Sequence, residues 1–424
     1  MTMTPLDYAL TAGSALVATP LVVFGSECLL ACLPRRSRAV ESSEPRPRIA
    51  VLVPAHNEEL HIAETIRAIL PQLGKADRLI VIADNCDDET VTIAEALGTT
   101  VLVRHDLENR GKGYAIQHGL DHLQADPPEI VVSIDADCIA SPGAIGRIVE
   151  HCRATGMPVQ ASYLMEAPAD AESTAKTSVS EFAVLVKNHV RPRGLQAAGL
   201  PCLLTGSGMA YPWEALRRTP HPDSHIVEDM HYAVDLAVNG YPPRPCMDAE
   251  FTARLPSRDA AFTTQRTRWE HGHLATIGSQ APKLLAAFLR TGRPSLLAML
   301  LELATPPLSL LVATAMLVAA ALAGLWLIGF SPVPMLVIVG AGLFAGVGLL
   351  AAWWKFGRRV LPPRQVLAIP GYVLTKLPLY RQFVKKPESG WVRTSREGAP
   401  VAAPHYAADS RPATSDRQLA ADDS

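Results

Sequence analysis

Three apolar stretches, Leu10 to Leu33, Pro307 to Gly329 and Val333 to Trp354, constrain this 424-residue chain more than any other feature. A helix needs about 20 apolar residues to cross the hydrocarbon core of a bilayer, and each stretch reaches that length. The second and third contain no charged residue, whereas the first contains Glu27. A cleaved signal peptide is the rival reading of the first, and Leu29-Leu30-Ala31-Cys32 is faintly similar to a lipoprotein cleavage site. A signal peptide needs a basic leading region, however, and residues 1–9 carry no Lys or Arg. A retained anchor over residues 9–34 is therefore expected. Arg35, Arg36 and Arg38 follow the first stretch, and Lys355, Arg358 and Arg359 follow the third. Basic residues collect on the cytoplasmic side of a span, so the central region and the C-terminal tail are expected in the cytoplasm of an inner or plasma membrane.

The net charge is −2, so no whole-chain basic field points to nucleic acid, which is excluded as an expected partner. Seven cysteines are scattered without a C-x-x-C pair, a pattern that suits free thiols in a reducing compartment.

Between the first and second stretches, after a linker at residues 42–48, short apolar runs alternate with helical segments. Ile49–Val53, Leu79–Ala83, Val101–Arg104 and Ile130–Ile134 read as strands. Leu60–Leu70, Glu89–Leu97 and Gly111–Leu123 read as the helices between them. This alternation predicts an α/β domain over residues 47–290 with a mainly parallel sheet, whose ligands bind beyond the carboxyl ends of the strands. The second half is less regular: Val159–Met165 and Leu203–Met209 read as strands, and Ser173–His189 and Asp229–Val238 as helices. A further helix begins at Thr263. Residues 296–355 form a membrane region with two spans. Residues 362–385, apolar but interrupted by Pro370, Lys376, Pro378 and Arg381, read as an interfacial amphipathic segment. Residues 386–424 read as a mostly disordered cytoplasmic tail.

The polar clusters occur in a fixed order. Pro54-Ala55-His56-Asn57-Glu58 ends the first strand, Asp84-Asn85 the second, and Asp135-Ala136-Asp137 the fourth. Glu228-Asp229 and then Gln265-Arg266-Thr267-Arg268-Trp269 follow. Alternate residues of a strand share a face, which aims Asp135 and Asp137 the same way. In a helix Gln265, Arg268 and Trp269 share one side. A guanidinium pairs with diphosphate oxygens, and an indole face stacks on a sugar ring. Thr205-Gly206-Ser207-Gly208 is a turn of small residues that lets a ligand approach the backbone. Asp87 and Asp88 read as helix-capping residues, and neither His271 nor His273 is expected to bind a ligand.

This ordered series resembles the inverting family 2 glycosyltransferases, in particular the membrane-embedded branch that includes the cellulose, hyaluronan and poly-N-acetylglucosamine synthases. The resemblance covers roughly residues 45 to 280 and implies a GT-A-type, Rossmann-like nucleotide-sugar-binding fold on the cytoplasmic side of the membrane. It implies that Pro54, Ala55, Asn57, Glu58, Asp84, Lys112 and Asp135 bind the nucleotide sugar, with Lys112 meeting phosphate at a helix start. Asp137 then binds a divalent metal, Mg or Mn, because hard oxygen ligands suit those ions. Asp229 becomes the general base, and Glu228, Gln265, Arg268 and Trp269 serve the acceptor and diphosphate. Trp391-Val392-Arg393-Thr394-Ser395-Arg396 is similar to the gating loop of cellulose synthase, departing from it at Arg393, and adds Thr394 and Arg396 to that set. The expected partners are a nucleotide sugar, with a UDP-sugar favoured, a lipid-linked or glycan acceptor, and the membrane. An export partner is left open. Three alternatives remain at this level: a processive polysaccharide synthase, a single-addition transferase acting on polyprenyl phosphate or a ceramide-type lipid, and a catalytically dead nucleotide-sensing scaffold.

Overall fold

The computed structural model describes residues 4–34, 46–166, 174–220, 228–254 and 259–369, with 371–373, 376, 379 and 380; the side chains of residues 259–266 are not described. The first element is α1 (Pro5–Ala31), one of three helices of membrane-crossing length among the described residues. Then β1 (Ile49–Ala55), α2 (Ile62–Ile69), β2 (Arg78–Asp84), α3 (Thr90–Ala96), β3 (Thr100–Arg104), α4 (Lys112–Leu123) and β4 (Ile130–Ser133) alternate. The strands read from the sequence lie within one or two residues of these bounds. After β4 come β5 (Cys138–Ala140), α5 (Ala144–Thr155), β6 (Val159–Glu166), α6 (Ala175–Leu185) and α7 (Arg191–Ala197), with the last two joined by a π-turn at Val186–Val190. The domain continues through β7 (Met209–Pro212), α8 (Trp213–Arg218), α9 (Glu228–Val238), β8 (Arg244–Arg254) and α10 (Asp259–Thr291).

The eight strands among the described residues form one sheet in the order β3-β2-β1-β4-β7-β6-β8-β5. The β3-β2-β1-β4 half is parallel, with Val51 opposite both Leu79 and Val132. Direction reverses at the next strand, where β7 runs antiparallel to β4 and Ser133 faces Met209. β1 is covered on both faces, as parallel strands are: Ile49, Val51 and Val53 pack on one side with α2 and α5, while Ala50 and Leu52 pack on the other with α4 and α9.

Two differences from the sequence reading have local causes. Leu203–Gly208 is not strand, because Gly206 (φ 102°) and Gly208 (φ 68°) lie in the left-handed region, and strand begins only at Met209. A Cβ at position 208 would stand 2.6 Å from the Phe251 ring, so glycine there lets the turn lie against β8. The longest strand, β8, escaped notice because prolines and carboxylates interrupt its apolar run. From Asp248 onward it nonetheless alternates, with Ala249, Phe251 and Ala253 buried, and that two-residue period was a usable signal.

The remaining helices are α11 (Pro294–Leu303), α12 (Leu308–Leu327), α13 (Val333–Ala352) and α14 (Pro363–Val366). α12 and the helix Val333–Gly357, which is α13 with its terminal π-turn, are also long and apolar enough to cross a membrane. Gly25 of α1 and Gly348 of α13 bring these two helices into close contact, since a Cβ on Gly348 would lie 2.7 Å from the Gly25 carbonyl oxygen. Small residues permit such approach between apolar helices. At one end, Asp7 accepts a hydrogen bond from the Ser331 amide at 3.0 Å, tying α1 to the α12–α13 turn. At the other, next to the α/β domain, Lys355 Nζ donates to the Cys32 carbonyl at 2.8 Å.

Candidate active site

The carboxyl ends of β1, β2 and β4 converge on one crevice, as the parallel half of the sheet requires. Asp135 and Asp137 follow β4 by two and four residues. Both are partly exposed, while Ala136 between them is buried, so the two carboxylates share a face. Lys112, the first residue of α4, forms an ion pair with Asp135 and also donates to the Gly206 carbonyl. One turn of small residues is thereby fastened to the D-x-D segment. Ser207 Oγ accepts from the Asp135 amide at 3.0 Å on the same turn. At the start of α9, Glu228 Oε2 accepts from the Gly113 amide at 3.0 Å, which places that carboxylate at the N-terminus of α4. The Asp229 carboxylate lies beside Gly206, with Oδ2 3.5 Å from where a Cβ on that glycine would stand.

Crowding of negative charge shapes the electrostatics. Burial raises the Asp137 carboxyl to about 6, with the Asp135 charge adding to the shift. Burial likewise raises Glu228 to about 7, with Lys112 opposing and Asp229 reinforcing. Asp229 is also raised, again chiefly by burial, against the pull of Lys187 and Lys112. Burial alone would lower Lys112, but Asp135, Glu228 and Asp229 outweigh it and hold the ammonium charged. Among the described residues no group of three or more His, Cys, Asp or Glu side chains is arranged to enclose a metal. Ions such as Mg bind through one or two carboxylates with substrate phosphates and water completing the shell, and the Asp135–Asp137 pair fits that donor set.

The first two strand ends form the other wall. Asp84 is buried and takes a hydrogen bond from Arg104 at 2.6 Å, and Arg104 also reaches Asp106 at 2.9 Å. Asn57 and Asn85 both have left-handed backbone, with φ of 55° and 54°. Asn57 exchanges hydrogen bonds with Asp87, joining the β1 and β2 loops. Glu58 is buried, and its amide donates to Thr90 Oγ1 at 2.7 Å. Pro54 and Ala55 are the last residues of β1. Asp88 accepts from the Thr90 amide and hydroxyl, the local capping role its sequence suggested.

Gln265, Arg268 and Trp269 all belong to α10. Arg268 and Trp269 are half-buried, and the Gln265 side chain lies outside the described residues. Trp391, Thr394 and Arg396 also lie outside them. Immediately after Trp269, Glu270 accepts from Lys376 Nζ at 3.0 Å and Tyr380 OH at 2.7 Å, so part of the segment read as interfacial is docked on α10. His271 and His273 are buried and donate to the Leu379 and Leu303 carbonyls.

Three contributors went unnoticed in the sequence. Gln160 of β6 is fully buried, accepts from the Thr205 amide at 2.8 Å and donates to the Ser207 carbonyl at 2.9 Å, clamping the turn from both ends. Arg104 orients Asp84. Lys187, in the π-turn, acts on Asp229. A glutamine near the start of a strand whose neighbours Val159 and Ala161 are apolar was the one legible signal.

A parallel half-sheet, a D-x-D segment at its switch to antiparallel, and an acidic pair across the crevice define a GT-A-type sugar-transfer domain. Residues 45–272, more than half of the chain, match the family described as glycosyltransferase like family 2, and the chain belongs to that family. Among similar proteins, the probable glycosyltransferase YdaM of Bacillus subtilis is 30% identical over 105 residues, which are 23% of this chain and 24% of that protein. The uncharacterized protein MJ1222 of Methanocaldococcus jannaschii is 33% identical over 105 residues, covering 25% of this chain and 42% of that protein. The chain thus spans less than half the length of these relatives. The mannosyltransferase PcManGT from Pyrobaculum calidifontis, solved with GDP-Man and Mn2+, superposes with a TM-score of 0.50 at 21% identity. It covers 81% of this chain and 98% of that one, a likeness of fold.

Proposed function

We propose that this family 2 protein is a nucleotide-sugar-dependent glycosyltransferase, anchored in the inner or plasma membrane with its catalytic domain in the cytoplasm. It moves a sugar with inversion to a lipid-linked or growing glycan acceptor in surface polysaccharide synthesis. The observation that carries the reading is the single crevice joining Lys112, Asp135 and Asp137 to Glu228 and Asp229. Asp229 accepts the proton of an acceptor hydroxyl as that oxygen attacks the anomeric carbon and the nucleoside diphosphate departs from the opposite face. A partly buried carboxyl whose hold on a proton is strengthened suits that task. Asp84, Asn57 and Glu58 line the nucleotide end, and Lys112 faces the diphosphate. Asp137 would hold Mg or Mn, whose chemistry when bound is to offset negative charge on the departing diphosphate. Mn2+ bound in the Pyrobaculum mannosyltransferase agrees with that assignment. Arg268 and Trp269 of α10, with Gln265, Thr394 and Arg396, are assigned to the acceptor and the diphosphate on the strength of the motif alone.

Orientation is supported by Lys355, Arg358 and Arg359, which follow the third long helix. A single or short addition is favoured over processive synthesis, because α1 and α13 touch through Gly25 and Gly348 and leave no lumen between them. The test is donor consumption. Membranes containing the protein are supplied with radiolabelled UDP-, GDP- and dTDP-sugars, and one donor is expected to be turned over by the wild type but not by Asp229→Asn. Donor loss at equal rates from both would refute it.

A further inference from the structure

Gln160 sits where the sheet opens into the crevice. It lies opposite Met209 of β7 and Pro245 of β8, and it is the last residue of β6 in register with β7. Just before β7 comes the turn 205–208, built on two glycines with left-handed backbone, Gly206 and Gly208. Glycine permits that shape but does little to hold it, because its backbone has the widest freedom. Gln160 supplies the hold. Its Oε1 accepts from the Thr205 amide at 2.8 Å, and its Nε2 donates to the carbonyls of Ser207 and Ala161, both at 2.9 Å. The side-chain oxygen and the amino group are both used, within a residue that is fully buried. A methionine would fill similar space yet leave an amide and a carbonyl of the turn without these partners, so the sheet alone does not call for a glutamine here.

The same turn touches three charged parts of the crevice. The Gly206 carbonyl accepts from Lys112, Ser207 Oγ accepts from the Asp135 amide at 3.0 Å, and the Asp229 carboxylate stands beside Gly206. We propose that Gln160 is a positioning residue for sugar transfer: by fixing the turn it sets the spacing between Lys112 and Asp135 on the donor side and Asp229 on the acceptor side. This rests on the glycosyltransfer reading above and names what holds the two halves of that site in register. Its hydrogen bonds go to the turn and to Ala161, so Gln160 acts through the turn. Loosening the turn leaves the same charges in the crevice, and their attraction for a nucleoside diphosphate, being non-directional, changes little. Alignment of the attacking and departing oxygens is directional, and a misplacement of about 1 Å can cost about 100-fold in rate. The loss therefore falls on kcat and not on donor binding.

The experiment uses the full chain in nanodiscs formed from lipids of its own membranes, with Mn2+ and whichever of the UDP-, GDP- and dTDP-sugars those membranes consume. Gln160→Met and, separately, Gln160→Leu remove the bonds to the turn. In each, kcat is expected to fall at least tenfold, while the KM for the donor and the calorimetric affinity for its nucleoside diphosphate stay within threefold of the unsubstituted protein. Val149→Ala, a truncation of a buried side chain in α5, reports what lost packing alone does and should leave kcat within twofold. Ser207→Ala breaks the bond from the turn to the Asp135 amide. Because Gln160 acts through that turn, Gln160→Met should lower kcat less in the Ser207→Ala background than in the unsubstituted protein. A kcat within twofold of normal in a folded Gln160 variant, a loss carried by donor KM, or equal losses in the two backgrounds overturns the proposal. So does a matching loss from Val149→Ala, or failure of both Gln160 variants to fold, either of which makes the role structural. Absence of donor turnover and of nucleotide binding in the unsubstituted protein would instead overturn the glycosyltransfer reading itself.

Discussion

Glu27, near the end of the first long helix, accepts a hydrogen bond from Arg191 Nε at 2.5 Å, and both side chains are buried. The charge that made the first apolar stretch ambiguous in sequence is thus the contact that fastens it to the catalytic domain. Arg191 NH2 also reaches the Glu302 carbonyl at 3.4 Å, and Glu302 Oε2 accepts from the Leu203 amide at 3.0 Å, just before the turn beside Asp135.

Breaking a buried pair from one side leaves a buried charge without its counter-ion, which costs about 3–5 kcal/mol. Arg191→Leu is therefore expected to lower the unfolding temperature of the detergent-solubilised protein sharply. Glu27→Leu combined with Arg191→Leu should recover much of the loss. A double variant as unstable as the sum of the singles would show that the two residues do not act as a pair.

Asp229→Asn is expected to reduce transfer by at least about 100-fold, within the usual contribution of a general base. Nucleotide binding by calorimetry should remain close to wild type, because the substituted atom faces the acceptor. Near-normal turnover in the purified variant would remove Asp229 from the mechanism.

Chelation of divalent metal should suppress both turnover and tight nucleotide binding, and Asp137→Ala should reproduce the effect with metal present. The reason is surplus negative charge at the end of β4, where burial and Asp135 hold the Asp137 carboxyl near 6. Full activity in chelator would assign charge neutralisation to arginines instead.

Glu228 gives a pH signature. Its carboxyl sits at about 7 in the folded protein against 4.5 for an ordinary glutamate. Between those values the folded state holds a proton that the unfolded state has released, so this residue's contribution to stability falls as pH rises through the window. Glu228→Gln, which can still accept from the Gly113 amide, should therefore stabilise the protein at pH 8. Discounted for partial exposure, the gain is on the order of 1–2 kcal/mol. At pH 4 the difference should vanish. Equal unfolding temperatures for variant and wild type at pH 8 would contradict the shift.

Product length separates single transfer from processive synthesis. Purified monomer in liposomes, given donor and lipid acceptor, is expected to add one or a few sugars, as resolved by mass spectrometry. Long polymer delivered into the lumen by a monomeric preparation would show that a pore forms.

Local pattern made much of this protein legible in its sequence. The three helices of membrane-crossing length follow from apolar length, interrupted in the first by Glu27, and the β1-to-β4 half of the sheet follows from short apolar runs spaced by helical segments, because burial on two faces imposes that texture. Position at strand ends was enough to gather Asp84, Asp135 and Asp137, since parallel topology brings those ends together. What only the tertiary structure decided is every relationship between distant residues. Lys112 meets Asp135 and the Gly206 carbonyl across 23 and 94 residues, Gln160 clamps the turn at Ser207 across 47, and Arg191 finds Glu27 across 164. No periodicity encodes such partners. They are fixed by which strand reverses beside β4 and by which helix the catalytic domain rests against, and both depend on the packing of the whole chain.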